Sequence, residues 1–301
     1  MEQEKQQEVL AESVPPTGLK VVLREFKKDK IAMFSFIFIT ALIVGVYIAS
    51  YFFIDIDEVM KVKLLQRYAE PGVNGYVLGA DEAGRDILMQ LIIGAKNSIF
   101  IAISVTLITS ILGIMIGLAA AYYGGFIDNI IMRVIDFFMT LPTLMIIIVV
   151  ITIIPKYTAF HLILVISIFG WVSTARLVRS KVLSEAKRDY VNASKTMGTS
   201  DLAIMFKGIL PNLSSILIVE LTLSFAGNVG IETGLSFLGF GLPPSVPSLG
   251  TLVSYATNPV VLAGKWWVWL PASLFILIMM LGINYVGQAL RRAADARQRL
   301  G

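Results

Sequence analysis

The chain has 301 residues, of which 56% are hydrophobic and only 15% are charged, and its formal net charge is +4. Because soluble domains carry about 25% charged residues, this composition excludes an ordinary soluble globular domain and favours a membrane protein. The absence of cysteine excludes disulfides and thiol chemistry, and the single histidine, His161, excludes a His-rich metal site.

The first predicted element is a short amphipathic helix in the leader, residues 1–30. Its apolar residues recur at helical spacing, and its basic residues lie off that stripe. The apolar stripe consists of Leu19, Val22, Leu23 and Phe26, and the basic side chains are Lys20, Arg24, Lys27 and Lys28. This pattern predicts a helix on the cytosolic membrane surface. The alternative is a merely basic stretch next to the membrane.

Six apolar segments follow, each about long enough to cross a bilayer as a helix. They cover residues 31–53, 98–123, 137–154, 157–175, 213–231 and 266–290. The first is too long for the core of a signal peptide and is expected to stay uncleaved. Pro155 and Lys156 predict a tight turn between the third and fourth segments. Since the alternation typical of a membrane barrel is absent from these segments, we predict an all-α protein with six transmembrane helices.

Basic residues set the expected orientation. Most of the 25 Lys and Arg residues fall in the leader, the stretch 176–212 and the tail. By the positive-inside rule, both termini are expected in the cytosol. The expected organisation is a cytosolic leader (1–30), a six-span domain (31–290) and a cytosolic basic tail (291–301). Within the six-span domain, 176–212 is expected in the cytosol, and 54–96 and 232–265 outside.

The stretch 176–212 reads as a helix–turn–helix. Apolar residues spaced over 182–197 fall near one face of a helix, and Gly198 suits the position just beyond its end. Either of the two hydroxyl residues after Gly198 can cap a second short helix, whose apolar face would include Leu202 and which Pro211 would end before the fifth span. The alternative is a solvated basic loop.

This stretch resembles the signature loop of the membrane subunits of ATP-binding-cassette importers. Ala193, Gly198, Leu210 and Pro211 match the family pattern. Asn192 stands where the family usually has Glu, and Ser194 where it has a second Ala. In that family the loop docks in a cleft of the ATPase subunit and transmits its closure. The resemblance implies a coupling role for Asn192, Ala193, Ser194, Gly198, Asp201, Leu210 and Pro211.

Two further segments resemble the dipeptide and oligopeptide permeases of that family, in their C-type subfamily. They are residues 78–88, before the second span, and 232–250, after the fifth. The resemblance implies the type I importer permease fold and a multi-pass location in a prokaryotic cytoplasmic membrane. It also implies four kinds of partner and no nucleic acid. These partners are a homologous permease in a heterodimer, two ATP-binding-cassette ATPase subunits, an extracytoplasmic peptide-binding protein and membrane lipid. Permeases for nickel chelates or other small solutes share these motifs and remain an alternative.

The chain has no ATP-binding motif of its own. The pattern G-x-x-x-x-G-K-[ST] does not occur in it. We therefore expect ATP and Mg²⁺ to bind partner ATPase subunits. This chain is expected to bind no cofactor and to have no enzymatic activity.

Glu220 is the one ionisable residue deep in a predicted span, and Ser224 and Asn228 follow it at helical spacing. Because ionisable groups in a membrane are costly, this stripe is a candidate wall of a translocation path. The alternative is hydrogen bonding or packing between helices. A secondary transporter that uses Glu220 for an ion is a further alternative, and it would usually show an inverted repeat.

Overall fold

The computed structural model describes residues 19–52, 54–243 and 245–295, which are predominantly helical. Within those ranges the only β pairing is one isolated bridge between Ala80 and Asp86. In chain order the helices are α1 (Leu19–Lys28), α2 (Lys30–Phe52), α3 (Ile56–Val59), α4 (Ile87–Tyr123), α5 (Gly125–Thr140), α6 (Thr143–Ile153), α7 (Ala159–Glu185), α8 (Asp189–Thr196), α9 (Asp201–Phe237), α10 (Leu249–Ser254), α11 (Pro259–Gly264) and α12 (Trp266–Asp295). The predicted all-α class is confirmed.

Five of these helices, α2, α4, α7, α9 and α12, are long and apolar enough to cross a membrane. The bent pair α5–α6 can supply a sixth crossing. At 37 residues each, α4 and α9 are about 55 Å long, whereas the hydrocarbon core is about 30 Å thick. Both helices therefore continue well beyond the apolar segments that mark them in the sequence.

The predicted third span is not one continuous helix. α5 and α6 meet at Leu141 and Pro142 and are bent by 81°. Pro142 has no N–H to extend α5, and its ring favours an extended conformation at Leu141, which has φ −82° and ψ 138°. α6 has 11 residues, about 16 Å, and cannot cross a bilayer alone. The prediction of an unbroken helix over 137–154 is wrong.

The predicted turn between the third and fourth segments is confirmed. Lys156 has a positive φ of 53° there, between α6 and α7. His161 takes part in the start of α7, because the backbone N–H of Thr158 donates to its Nδ1 at 3.3 Å. This histidine caps a helix end.

The helix expected over 182–197 is broken by a short turn. α7 ends at Glu185 and α8 begins at Asp189. Glu185 stabilises the turn from one side: its carboxylate lies 3.1 Å from Arg188 Nε and accepts a hydrogen bond from Tyr190 OH at 3.1 Å. The helical spacing of the apolar residues is compatible with one continuous helix and with two helices joined by a turn. The contacts of Glu185 favour the two helices.

Pro211 does not end a separate short helix, contrary to the prediction. α9 runs from Asp201 through Pro211 to Phe237. A proline inside an α-helix removes one backbone hydrogen bond and its ring clashes with the carbonyl four residues earlier. A π-helical segment, Ile204–Ile209, ends two residues before Pro211, and the N–H of Leu210 bonds to the carbonyl of Met205, five residues back. This wider turn changes the hydrogen-bond register just before the proline.

Two glycines let α4 pack closely on α7. A Cβ added at Gly113 would lie 2.7 Å from Thr174 Cβ, and one at Gly117 would lie 3.0 Å from Arg179 N. Small residues of this kind let helix backbones approach each other within a membrane. The same arginine also reaches α5, with Nη2 2.6 Å from Asp128 Oδ2. These contacts join α4, α5 and α7 into one packed unit.

α1 is a helix as predicted, but its apolar stripe faces the protein. Val22 is 1% exposed and Phe26 is 6% exposed. Both pack in a cluster with Val219 of α9 and Val286 of α12, while Leu23 is 41% exposed. The neighbouring helices therefore cover the most buried part of the stripe. Attachment of α1 to a membrane surface stays a prediction.

Candidate coupling surface and translocation path

α8 ends in a left-handed turn at Gly198, where φ is +75°. The N–H of Gly198 bonds to Lys195 O, and the N–H of Thr199 bonds to Ser194 O, both at 3.0 Å. These two bonds form a Schellman motif, which satisfies the last carbonyls of a helix. Ser200 then precedes α9 with φ −63° and ψ 147°. The predicted end of a helix at Gly198 is confirmed.

Side chains at the ends of the long helices hold this turn. Tyr122, near the end of α4, donates its hydroxyl hydrogen to Asp201 Oδ1 at 2.7 Å, and Lys195 Nζ lies 4.7 Å from the centre of the same ring. Asn212 Nδ2 donates to Tyr190 OH at 3.1 Å, which ties α9 to α8. Burial raises the pKa of the Tyr190 phenol. The turn is thus attached to the long helices from both sides.

The start of α9 is amphipathic, but its buried face differs from the predicted one. Ile204, Met205 and Ile209 are buried in a cluster with residues of α4 and α7. Leu202, which was expected on the apolar face, is 62% exposed, and Met197 is 84% exposed. The turn therefore presents large apolar side chains to its surroundings.

The predicted coupling residues fall into two groups. Those that are exposed are Asn192, Ala193, Gly198, Asp201 and Pro211, and those that are half-buried are Ser194 and Leu210. Residues 192–201 lie around one turn. Leu210 and Pro211 lie further along α9, roughly 14 Å from Asp201 at 1.5 Å per residue. The structure thus brings together five of the seven and places the Leu-Pro pair at the base of the loop.

Glu220 is half-buried in α9. Its Oε1 accepts hydrogen bonds from Thr174 Oγ1 of α7 and from Ser224 Oγ, both at 3.3 Å. Asn228 does not join this group, because its Nδ2 donates to Thr106 Oγ1 of α4 at 2.9 Å. The three candidate path residues therefore share a side of α9 but bond to two different helices. Hydrogen bonds of this kind link helices within a membrane, and a polar path wall can use the same groups.

A second polar cluster joins the segment before α4 to the segment after α9. The carboxylate of Asp81 is fully buried and accepts from Arg85 Nε at 2.7 Å and from Gln90 Nε2 at 3.0 Å. Arg85 Nη2 donates to the hydroxyl of Tyr255, 170 residues away in the sequence, at 3.1 Å. Burial, helped by the charge of Asp81, raises the pKa of Tyr255 to about 12. Sequence reasoning singled out the segment 78–88 but could not identify this distant partner.

Glu232 is enclosed near the end of α9. It is 0% exposed, and its Oε1 accepts from Ser236 Oγ at 2.8 Å. Within the described ranges its Oε2 has no hydrogen-bond partner. Because α9 continues to Phe237, the segment 232–265 begins inside this helix and only later becomes irregular.

Comparison with known proteins gives a consistent family match. Residues 113–300, which include α8, α9 and Glu220, match the family described as "Binding-protein-dependent transport system inner membrane component". The oligopeptide transport system permease protein OppC of Lactococcus lactis subsp. lactis is 52% identical over 277 residues, covering 92% of this chain and 94% of that protein. The dipeptide transport system permease protein DppC of Haemophilus influenzae is 36% identical over 289 residues, covering 94% and 96%. OppC of Bacillus subtilis is 33% identical over 280 residues, covering 93% and 90%.

Proposed function

This chain belongs to the family of binding-protein-dependent transport system inner membrane components, and we propose that it is the transmembrane permease subunit of an ATP-driven importer of oligopeptides or dipeptides. Relatives that cover more than nine-tenths of the chain are named for oligopeptide and dipeptide transport. The long apolar helices make it an integral, multi-pass membrane protein.

The continuity of α9 is the observation on which the mechanism rests. This helix leads from the turn at Gly198 and Asp201, past Glu220, to Glu232. Backbone hydrogen bonds join each turn of a helix to the next, and a helix held together in this way is stiff. It can therefore carry a displacement along its length. A movement imposed on the turn would therefore reach the polar groups in the middle of the helix directly.

The turn has the properties of a docking surface for an ATPase subunit. Met197 and Leu202 expose apolar side chains, and Asn192 and Ala193 are exposed on α8. Exposed apolar side chains on a well-anchored turn are typical of a contact with another protein. The ATPase subunits bind ATP and Mg²⁺ and carry out hydrolysis, and this chain receives the resulting movement.

The proposed complex contains this chain, a homologous permease, two ATPase subunits and an extracytoplasmic peptide-binding protein, in a prokaryotic cytoplasmic membrane. Both termini and residues 176–212 face the cytosol, while 54–96 and 232–265 face outward and meet the binding protein. The basic residues of the leader, of 176–212 and of the tail support this orientation.

The translocation path lies between the two permeases, and Glu220, Ser224 and Asn228 form part of its wall in this subunit. In favour of this role, Glu220 is half-buried and keeps a carboxylate within a span-forming helix, where an ionisable group is costly unless it has a function. Its hydrogen bonds from Thr174 and Ser224 hold the side chain in a fixed orientation.

The test is uptake of a labelled oligopeptide into proteoliposomes that contain both permeases and both ATPase subunits, with the binding protein added outside. We expect uptake that requires ATP and the binding protein and that stops when the ATPase subunits are omitted. Uptake driven by an ion gradient without the ATPases would contradict the proposal and favour a secondary transporter. ATP-dependent uptake of a nickel chelate in place of peptide would contradict the proposed substrate class alone.

A further inference from the structure

An apolar groove of about 380 Å³ lies between α1, α2, α9 and α12. On α9 it is lined by Ile218, Thr222 and Phe225. At 3.6 residues per turn, these positions lie about 150° around the helix from Glu220. The groove therefore faces away from Glu220, and neither Ser224 nor Asn228 lines it, so the proposed translocation path does not explain it.

The length of the groove corresponds to one leaflet of a bilayer. On α2 it extends from Met33 to Ile43, about 15 Å along the helix, and on α12 from Ile283 to Leu290, about 10 Å. The hydrocarbon core is about 30 Å thick, so each leaflet contributes about half of that. A transmembrane helix from another subunit would need a groove of the full thickness. A lipid acyl chain needs only one leaflet.

A cation lines the groove where α1 meets the membrane-spanning helices. Lys27 lines the groove and is exposed. The ammonium group of its neighbour Lys28 forms an ion pair with Glu25, with Nζ 2.7 Å from Oε1. Within the part of the chain that the structure describes, Lys27 has no carboxylate within salt-bridge distance. Its ammonium group is therefore available to a phosphate at the level of the headgroups.

We propose that this groove binds one acyl chain of an anionic phospholipid, with Lys27 contacting its phosphate. The lipid belongs to the leaflet on the side of α1, and its chain contacts α2, α9 and α12. No residue of the translocation path or of the coupling turn lines this groove. The bound lipid would fix α1 and α2 against α9, the helix that the proposed mechanism displaces.

The site can be tested in the assembled transporter, in phosphatidylcholine vesicles that contain a small amount of phosphatidylglycerol with a photoreactive acyl chain. We expect cross-linked peptides from residues 33–43 and 283–290. Lys27→Gln should lower this labelling by up to about fivefold, the factor for losing one direct ion pair between an exposed ammonium group and a phosphate. Lys28→Gln is the matched control, because it removes the same charge from the same helix without lining the groove, and it should leave the labelling unchanged.

A second pair of variants tests the groove itself. Thr40 lines the groove and is exposed, whereas Ala41 is exposed and does not line it. Thr40→Trp should fill the groove and abolish the labelling, and Ala41→Trp should not change it. Three results would overturn the proposal: equal effects of Lys27→Gln and Lys28→Gln, equal labelling by photoreactive phosphatidylcholine or a photoreactive fatty acid, or cross-links from the groove residues to a partner subunit.

Discussion

Gly198→Val tests the coupling turn at its most constrained residue. Gly198 has φ +75°, and a Cβ added there would meet nothing within 4 Å. The substitution therefore introduces no steric clash with the rest of the protein, and its cost comes from the backbone alone. A left-handed conformation costs an L-residue about 1–2 kcal/mol, and a β-branched residue is particularly unfavourable there. Glycine has no such penalty.

A cost of this size changes local populations about 5–30-fold, which is too little to unfold a protein with this much buried surface. The amide of Thr199, bonded to Ser194 O at 3.0 Å, reports directly on the motif. Its hydrogen exchange should accelerate about 5–30-fold in Gly198→Val. Because the turn would then present its docking surface only part of the time, stimulated ATPase activity and peptide import of the reconstituted complex should both fall, with unchanged subunit stoichiometry.

Gly198→Asn is the matched control, since asparagine adopts the left-handed conformation more readily than other non-glycine residues. It should retain most of the exchange protection and most of the stimulated ATPase activity. If Gly198→Val accelerates exchange at Thr199 but leaves ATPase activity and import intact, the turn is not the coupling element. If exchange at Thr199 is unchanged, the reasoning about the backbone itself fails.

Three further predictions concern orientation, the path and helix packing. The chain has no cysteine, so a single introduced cysteine is the only target of a thiol reagent. In intact cells Lys195→Cys should resist an impermeant reagent, whereas Leu65→Cys, at a fully exposed position, should react. The reverse pattern would invert the proposed topology. Glu220→Gln keeps an oxygen that can accept hydrogen bonds from Thr174 and Ser224 but removes the carboxylate. If Glu220 lines the path, this variant should show altered peptide uptake at a normal yield of the complex. Normal uptake in both the Gln and the Ala variants would show that Glu220 is not part of the path. Gly117→Ala should lower the stability of the purified subunit by about 1–3 kcal/mol through overpacking against α7. Gly45→Ala is the control, because a Cβ added at Gly45 meets nothing within 4 Å. Equal thermal midpoints of the two variants would contradict this prediction.

The sequence alone determined those features that depend on local chemistry. Long apolar segments in this order allow only membrane-spanning helices, because backbone polar groups have no other partners in lipid. Gly198 could be placed at a helix end because a left-handed residue is needed there and glycine adopts it without strain. The bend between α5 and α6 was equally local, since Leu141 precedes Pro142, but the apolar character of 137–154 led to the prediction of a single helix.

Which helix faces and which distant residues meet depends on tertiary packing, and local sequence patterns do not reveal it. Val22 and Phe26 form a stripe that could face lipid or protein, and hydropathy cannot separate the two, because lipid is as apolar as a packed helix interface. Arg85 donates a hydrogen bond to Tyr255, which is 170 residues away in the sequence. Patterns of residue spacing describe neighbours within one helix and cannot predict such a contact. Pro211 is compatible with ending a helix or with lying inside one. It lies inside α9 because a π-helical segment precedes it and because the buried residues around it pack against α4 and α7.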